Sequence, residues 1–336
     1  MKKEITHKII FLFFCGLTGF LEIGSVIYAI RVHLTVNQVL FLVLAYQVGC
    51  FFPNNIQFSK KLFYIISFVG FCMYLYISII FPNYYLLWLA TLFTSICLQT
   101  LRSFQKSSVS TGLKRTFRII GFGLAPFFSL PAMSFLSLIL IFFLIFNKNI
   151  LSTKIKFYKL KLSELIMVTH QMHYFSYSYL ILLIIMLIGK FSAYYACLSF
   201  VLGWITYAML PYLLKNINKH QLIFVAGHIY LALVLIFMSF TNSIEFKILL
   251  WIITGFGGGT VYCIEKIYAS YNDLNKGALE FSENIGHVLG LTFGILIFNI
   301  TNSYNMVIIS AGTLTIITVM LMILYIKSKQ VKIYIG

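Results

Sequence analysis

Residues Ile119 to Phe146 read IIGFGLAPFFSLPAMSFLSLILIFFLIF, and the number of times this run crosses a membrane decides the fold. It carries no charge, yet its 28 residues are too few for two full helices, since one crossing takes about 20. Arg102, Lys106, Lys114, Arg115 and Arg118 precede it; Lys148, Lys154, Lys156, Lys159 and Lys161 follow it. Lys and Arg accumulate on the cytoplasmic side of membrane proteins. Both flanks therefore lie on one side, and the chain crosses between them twice or not at all. Two crossings require a helix that starts inside the preceding polar segment, near Val109, with Pro126 and Pro131 at its far end. A short helix over about Ala132–Phe146 then completes the return. This gives twelve helices; a re-entrant hairpin gives ten.

Outward from this run, apolar segments recur along the whole chain. Sixty per cent of the 336 residues are apolar and ten per cent are charged, against about 25% charged in soluble domains. The composition excludes a soluble fold and implies an all-α integral membrane protein. Helices are expected over about Lys8–Ile30, Gln38–Phe52, Leu62–Ile80 and from the Pro82–Asn83 turn to Leu101. Six more follow the central basic stretch: Leu165–Ile188, Phe191–Leu214, Gln221–Phe240, Phe246–Ile264, Phe281–Asn299 and Tyr304–Ile326. The first apolar run lacks a small-residue cleavage site and is kept as a helix rather than a signal peptide.

The formal charge of +17 sits in clusters between apolar runs, so it is read as a topology signal and not as a nucleic-acid surface. With both termini cytoplasmic, only Arg31, Lys190 and Lys247 of the 25 Lys and Arg fall outside. The organisation that follows is a six-helix half over residues 1–146, a basic cytoplasmic linker over 147–165, and a second six-helix half over 166–336. The six cysteines are scattered without metal or disulfide spacing. No GxxxxGK[ST] phosphate loop is present, which argues against ATP-driven transport by this chain alone. Neither a cofactor nor a metal is implied.

Ionisable groups inside apolar helices cost about 2.5–3.5 kcal/mol each on insertion scales and usually face a bundle interior. Glu22 stands near the middle of the first helix; it reads as a proton- or cation-binding carboxylate, or as a structural hydrogen bonder. His170, His173, Tyr174 and Tyr177 follow the spacing i, i+3, i+4, i+7, which sets them on one helix face, with Gln171 and Ser178 beside them. That polar aromatic stripe reads as substrate or proton handling, or as interhelical packing. Glu280, Glu283, Asn284 and His287 repeat the spacing, and Glu283 and His287 are one turn apart. Because both helices start on the cytoplasmic side, the two stripes are expected at similar depth, lining one vestibule. Arg102, with Ser95 and Gln99 on its face, is a candidate gating residue. Gly257 and Gly258, inside the cluster Gly255–Gly259, are candidate helix-break residues. Glu265 beside Lys266 reads as an interfacial pair.

Two six-helix halves, a basic linker and cytoplasmic termini resemble the major facilitator superfamily. The stretch from Gly49 to Lys60-Lys61 is similar to that family's loop between its second and third helices, keeping the glycine and the basic pair but lacking the Asp and Arg. Gly121-Phe-Gly123-Leu-Ala-Pro126 resembles the Gly/Pro motif of antiporters. The resemblance implies a monomeric permease that moves a small, partly apolar molecule by alternating access. Protonation of Glu22, or of the Glu283/His287 pair, is expected to couple transport to a proton gradient, and the aromatic stripe with the Gly/Pro motif favours export over uptake. Lysine outnumbers arginine 21 to 4, which fits an AT-rich genome and a bacterial cytoplasmic membrane. Two rivals remain: a ten-helix acyltransferase-like membrane enzyme using His170 or His173, and a ten-helix drug/metabolite permease or lipid flippase.

The topology can be tested with single cysteines and an impermeant thiol reagent, on a background lacking the six native cysteines. A cysteine at Ala132 should label from outside the cell, and one at Lys154 only after the membrane is opened. Labelling at Lys154 from outside would invert the topology.

Overall fold

The structure, a computed structural model, describes residues 2–55, 60–80, 83–104, 109–146, 158 and 160–335. Among these residues it is helical with no strand. The helices are α1 (Lys2–Arg31), α2 (Val36–Asn55), α3 (Lys60–Ile79), α4 (Tyr84–Phe104), α5 (Thr111–Leu124) and α6 (Leu130–Phe146). They continue as α7 (Leu162–Ile188), α8 (Ala193–Leu213), α9 (His220–Phe240) and α10 (Ile244–Ser270). Last come α11 (Lys276–Thr301) and α12 (Tyr304–Ile335). Nine of these are long and apolar enough to cross a membrane by length and composition, while α2 and α6 hold shorter apolar stretches. Lys148, Lys154, Lys156 and Lys159 of the expected linker, and Lys106, lie outside the described residues.

The deciding run does form two helices. Ser110 caps α5, its hydroxyl accepting from the Leu113 N–H, so the helix starts well before Ile119 as two crossings require. Pro126 then sits in a 3₁₀ turn, Ala125–Phe127, that ends the helix before α6 begins. The result is twelve helices among the described residues.

The chain divides into two compact units, residues 1–157 with 192–198, and residues 158–191 with 199–336. Within the first, α1 packs on α5, α3 on α6, and α4 on both α1 and α3. Within the second, the same pairs recur six helices later: α7 with α11, α9 with α12, and α10 with both α7 and α9. These pairings correspond across the two units, while α12 also packs on α7 and α2 on α4.

Close backbone approach sets these pairings, because lipid gives helices no hydrophobic drive toward each other and small residues let packing replace it. On α11, Gly286, Gly290 and Gly294 form a three-step ridge against α7. A Cβ on Gly290 would stand 2.6 Å from the Met172 carbonyl oxygen and 2.9 Å from its Cα. Gly16 of α1 and Gly121 of α5 play the same part in the first unit, where a Cβ on Gly121 would stand 2.8 Å from the Phe20 nitrogen.

At one end of the second unit, the loop between α10 and α11 is tied to α12. Asp273 accepts from Lys329 at 2.8 Å and from the Tyr325 hydroxyl at 3.1 Å. Burial opposes ionisation of Asp273, but the hydrogen bonds from Lys329 and Tyr325, with the charges of Lys329 and Lys161, hold its carboxyl below the usual range.

These glycines give a paired test. Gly290→Ala should destabilise the solubilised protein by about 1–3 kcal/mol through overpacking against backbone that cannot yield. Gly123→Ala, where nothing lies within 4 Å, should be neutral or slightly stabilising. Thermal unfolding in detergent measures both, and equal effects would contradict the tight α7–α11 crossing.

Candidate functional site

In the first unit, Glu22 is 2% exposed on α1, and it does not stand alone. Arg118, two turns into α5, donates to Glu22 Oε2 from Nη2 at 2.5 Å and from Nε at 3.2 Å. Gln47 of α2 donates to the other oxygen at 3.4 Å. Glu22 therefore joins three helices as a buried carboxylate with a guanidinium partner. Sequence reasoning set Arg118 among the topology-marking cations. The available signal was its place in the helix: a helix starting near Val109 carries Arg118 well past its first turn.

Other residues of this unit fall differently. Arg102 lies half-buried in the last turn of α4 and forms no ion pair or hydrogen bond among the described residues. Ser95 turns back to its own helix, donating to the Leu92 carbonyl. Gly121 serves the α1–α5 contact, while Pro126 offers its carbonyl to Arg31 Nη1 at 2.8 Å.

In the second unit, the α7 stripe splits into two neighbourhoods. His170 and His173 turn toward His228 of α9, with ring centroids 4.9 Å apart between the first two and 5.0 Å between His170 and His228. All three are buried, at 2%, 0% and 0% exposure. The hydrogen bonds assign the tautomers. His228 Nδ1 lies 2.9 Å from the Phe224 carbonyl, which can only accept, so Nδ1 carries the hydrogen. In the neutral ring, Nε2 is then the acceptor, and His170 Nδ1 donates to it across 2.9 Å. This leaves His170 Nε2 as the basic atom. Thr260 donates to the Gly257 carbonyl at 2.6 Å and offers its lone pairs to His228 Nδ1–H at 3.1 Å. His173 is different: neither ring nitrogen has a hydrogen-bond partner among the described residues, and the Ser178 hydroxyl is likewise unmatched.

Sequence spacing could not place His228 beside His170 and His173, because it stands 58 residues from His170 on another helix. His170 and His228 aim nitrogens at each other, and among the described residues no group of three or more His, Cys, Asp or Glu is arranged to hold an ion.

Tyr174 and Tyr177 point instead into an aromatic cluster with Trp204, Tyr207 and Trp251. Tyr174 meets Trp204 edge-on at 5.9 Å, Tyr177 meets Trp251 at 5.9 Å, and Trp204 meets Tyr207 at 5.3 Å. Trp251 is anchored by donating to the Ser199 carbonyl at 3.1 Å and by stacking on Phe200. The rings enclose a cavity of about 20 Å³ floored by Gly203, Gly255 and Gly258, enough for one water. Gly257 faces α9, where a Cβ would meet the Gly227 carbonyl at 2.8 Å. Immediately after Gly258 the α-helical winding of α10 gives way to a 3₁₀ turn over Gly259–Tyr262. The glycine cluster thus sits at a change of helical pitch.

The α11 stripe has neighbours of its own. His287 stacks on Phe175 at 4.0 Å between ring centroids. Glu283 lies 3.9 Å from His287 Nε2, beyond hydrogen-bond reach, with its side chain 48% exposed. Asn284 turns back to its own helix, donating to the Glu280 carbonyl at 2.9 Å. Glu265 lies in the first turn after the 3₁₀ segment and is exposed.

No protein-family model matches the chain, and no curated protein matches its sequence. Solved structures do. The POT family transporter PepTSo superposes with a TM-score of 0.67 at 11% identity, over 98% of this chain and 99% of that one. The nucleoside transporter NupG gives 0.61 at 13% identity, over 97% and 100%. The human organic anion transporter MFSD10 (TETRAN) gives 0.53 at 11%, over 93% and 98%. The chain has the fold of major facilitator transporters.

The ion pair makes a quantitative prediction. Arg118→Gln leaves the buried Glu22 without its guanidinium, at a cost of up to about 3–5 kcal/mol, and Glu22→Gln, which leaves the part-exposed Arg118 without this carboxylate, should cost less. The double variant removes both charges and should lose clearly less than the sum. Unfolding midpoints of the four proteins in detergent test this, and additive losses would mean that the two groups do not interact.

Proposed function

We propose that the protein is a secondary active transporter of the major facilitator type. It carries a small, partly apolar molecule across a bacterial cytoplasmic membrane by alternating access, as a monomer, with export as its direction. The observation that carries this reading is the combination of the transporter fold with ionisable side chains buried in apolar helices beside an aromatic-lined cavity. A protein that needed only to pack would fill those positions with apolar residues, because each buried ionisable group costs stability.

The proposed roles divide between the two units. Tyr174, Tyr177, Trp204, Tyr207 and Trp251 supply ring faces for an apolar or planar substrate. His173, with two unmatched nitrogens, and Ser178 supply hydrogen-bonding capacity that a substrate hydroxyl or a water would satisfy. Protons are the coupling ion. Glu22 releases Arg118 when it is protonated, and the His170–His228–Thr260 chain gives a proton a path between α7, α9 and α10. Glu283 and His287 act at the rim as a looser pair. Gly257 and Gly258 let α10 change pitch during gating, and Arg102 is a gating cation at the end of α4. The twelve helices and the transporter neighbours support this reading over the ten-helix enzyme and the ten-helix permease or flippase.

The test is transport in proteoliposomes with an imposed pH gradient, using a panel of radiolabelled lipophilic cations, nucleosides and short peptides. Wild type should accumulate at least one member only when the gradient is present. Trp251→Ala should abolish that accumulation, and His170→Gln should retain binding while uncoupling transport from the gradient. Accumulation that ignores the gradient in wild type would contradict proton coupling, and a panel without any transported member would count against this substrate class.

A further inference from the structure

A second cavity, of about 280 Å³, opens at the end of the second unit opposite the C-terminus. Three chain segments build it. The last turn of α7 is a π-helix over Ile184–Ile188, the α9–α10 loop contributes Thr241 and Asn242, and the α11–α12 loop with the first turn of α12 contributes Asn302, Ser303 and Asn305. Asn302 holds the loop open by taking the left-handed conformation (φ 50°), its N–H returning to the Phe298 carbonyl.

Lys247 lies at the base of this cavity and is only 7% exposed. Its ammonium donates to the Met238 carbonyl at 3.0 Å and to Asn305 Oδ1 at 2.8 Å. Both acceptors are neutral, and among the described residues no carboxylate lies within ion-pair distance. Glu245, the nearest acid in sequence, is exposed and accepts from the Ser243 hydroxyl at the start of α10. The carbonyl end of α9 supplies only about half of a negative charge. An ammonium has three hydrogens, so one remains to be matched, along with most of a unit charge. A buried cation is retained when an opposite charge compensates it.

The surrounding groups are donors as well. Because Asn305 Oδ1 accepts from Lys247, its amide nitrogen is the half left to donate, and the hydroxyls of Thr241 and Ser303 share the lining. One cation with neutral donors matches one negative charge spread over oxygens. A dianion would exceed the charge available.

We propose that this cavity binds a singly charged oxyanion, a carboxylate or phosphodiester, through Lys247 and Asn305. Two sources share that chemistry: a free small anion, and the headgroup of an anionic phospholipid. This site is separate from the aromatic cavity and does not depend on what is transported.

The experiment follows unfolding of the full chain in a non-ionic detergent at constant ionic strength. One arm titrates dimethyl phosphate against chloride, and the other adds phosphatidylglycerol. Wild type should show a saturable rise in midpoint in at least one arm. A response to dimethyl phosphate identifies a free anion as sufficient; a response to phosphatidylglycerol alone identifies the lipid headgroup. Lys247→Met should weaken the response by roughly tenfold or more, the loss of a charged hydrogen bond. Asn305→Asp sets a carboxylate against Lys247 and removes the amide donor, so this variant should be more stable without ligand and unresponsive with it. It carries the test if Lys247→Met fails to fold. A flat wild type in both arms would overturn the proposal. So would a response unchanged in Asn305→Asp, because Lys247 would then be only a cap on the carbonyl end of α9.

Discussion

The ion pair between the buried Glu22 and the part-exposed Arg118 is the constraint on which the first unit depends. In an apolar bundle neither charge is tolerable alone, so the pair dictates which surfaces of α1 and α5 must meet. Glycines at the crossing then let the backbones come close enough for the guanidinium to reach Glu22. Polar satisfaction and small-residue packing are thus two aspects of one requirement.

The second unit reaches a similar end with neutral groups. Its histidines are ordered by carbonyl acceptors and by one threonine, so the tautomer of each linked ring follows from its neighbour. The aromatic rings nearby hold one another edge-on, and the 3₁₀ turn of α10 lies against both sets through Thr260 and Gly258. A change in the winding of α10 would therefore be felt by the histidine chain and by the cavity wall together.

Much of this was legible in the chain. Periodicity, composition and the alternation of basic segments carried the helix count, including the two helices across Ile119–Phe146, because hydrophobic length and loop charge are local properties. The α7 stripe was legible as polar and buried for the same reason. What was not legible depends on partners distant in sequence. Arg118 resembled a loop cation until α1 was set beside α5, and His228 resembled an isolated residue until α9 was set beside α7. On α11 the spacing matched that of α7, and the structure adds that His287 stacks on a phenylalanine and Asn284 bonds to its own helix. Spacing reports which residues share a face. It does not report what the face meets.

The account rests on alternating access, and one position reports on it directly. Thr254 lines the aromatic cavity and is 4% exposed, and cysteine replaces it at similar volume. On a background without the native cysteines, Thr254→Cys should react with an impermeant thiol reagent from either face of oriented vesicles. The imposed pH gradient should shift the balance of the two rates. Reaction from one face only, whatever the gradient, would contradict a transporter that opens this cavity to both sides.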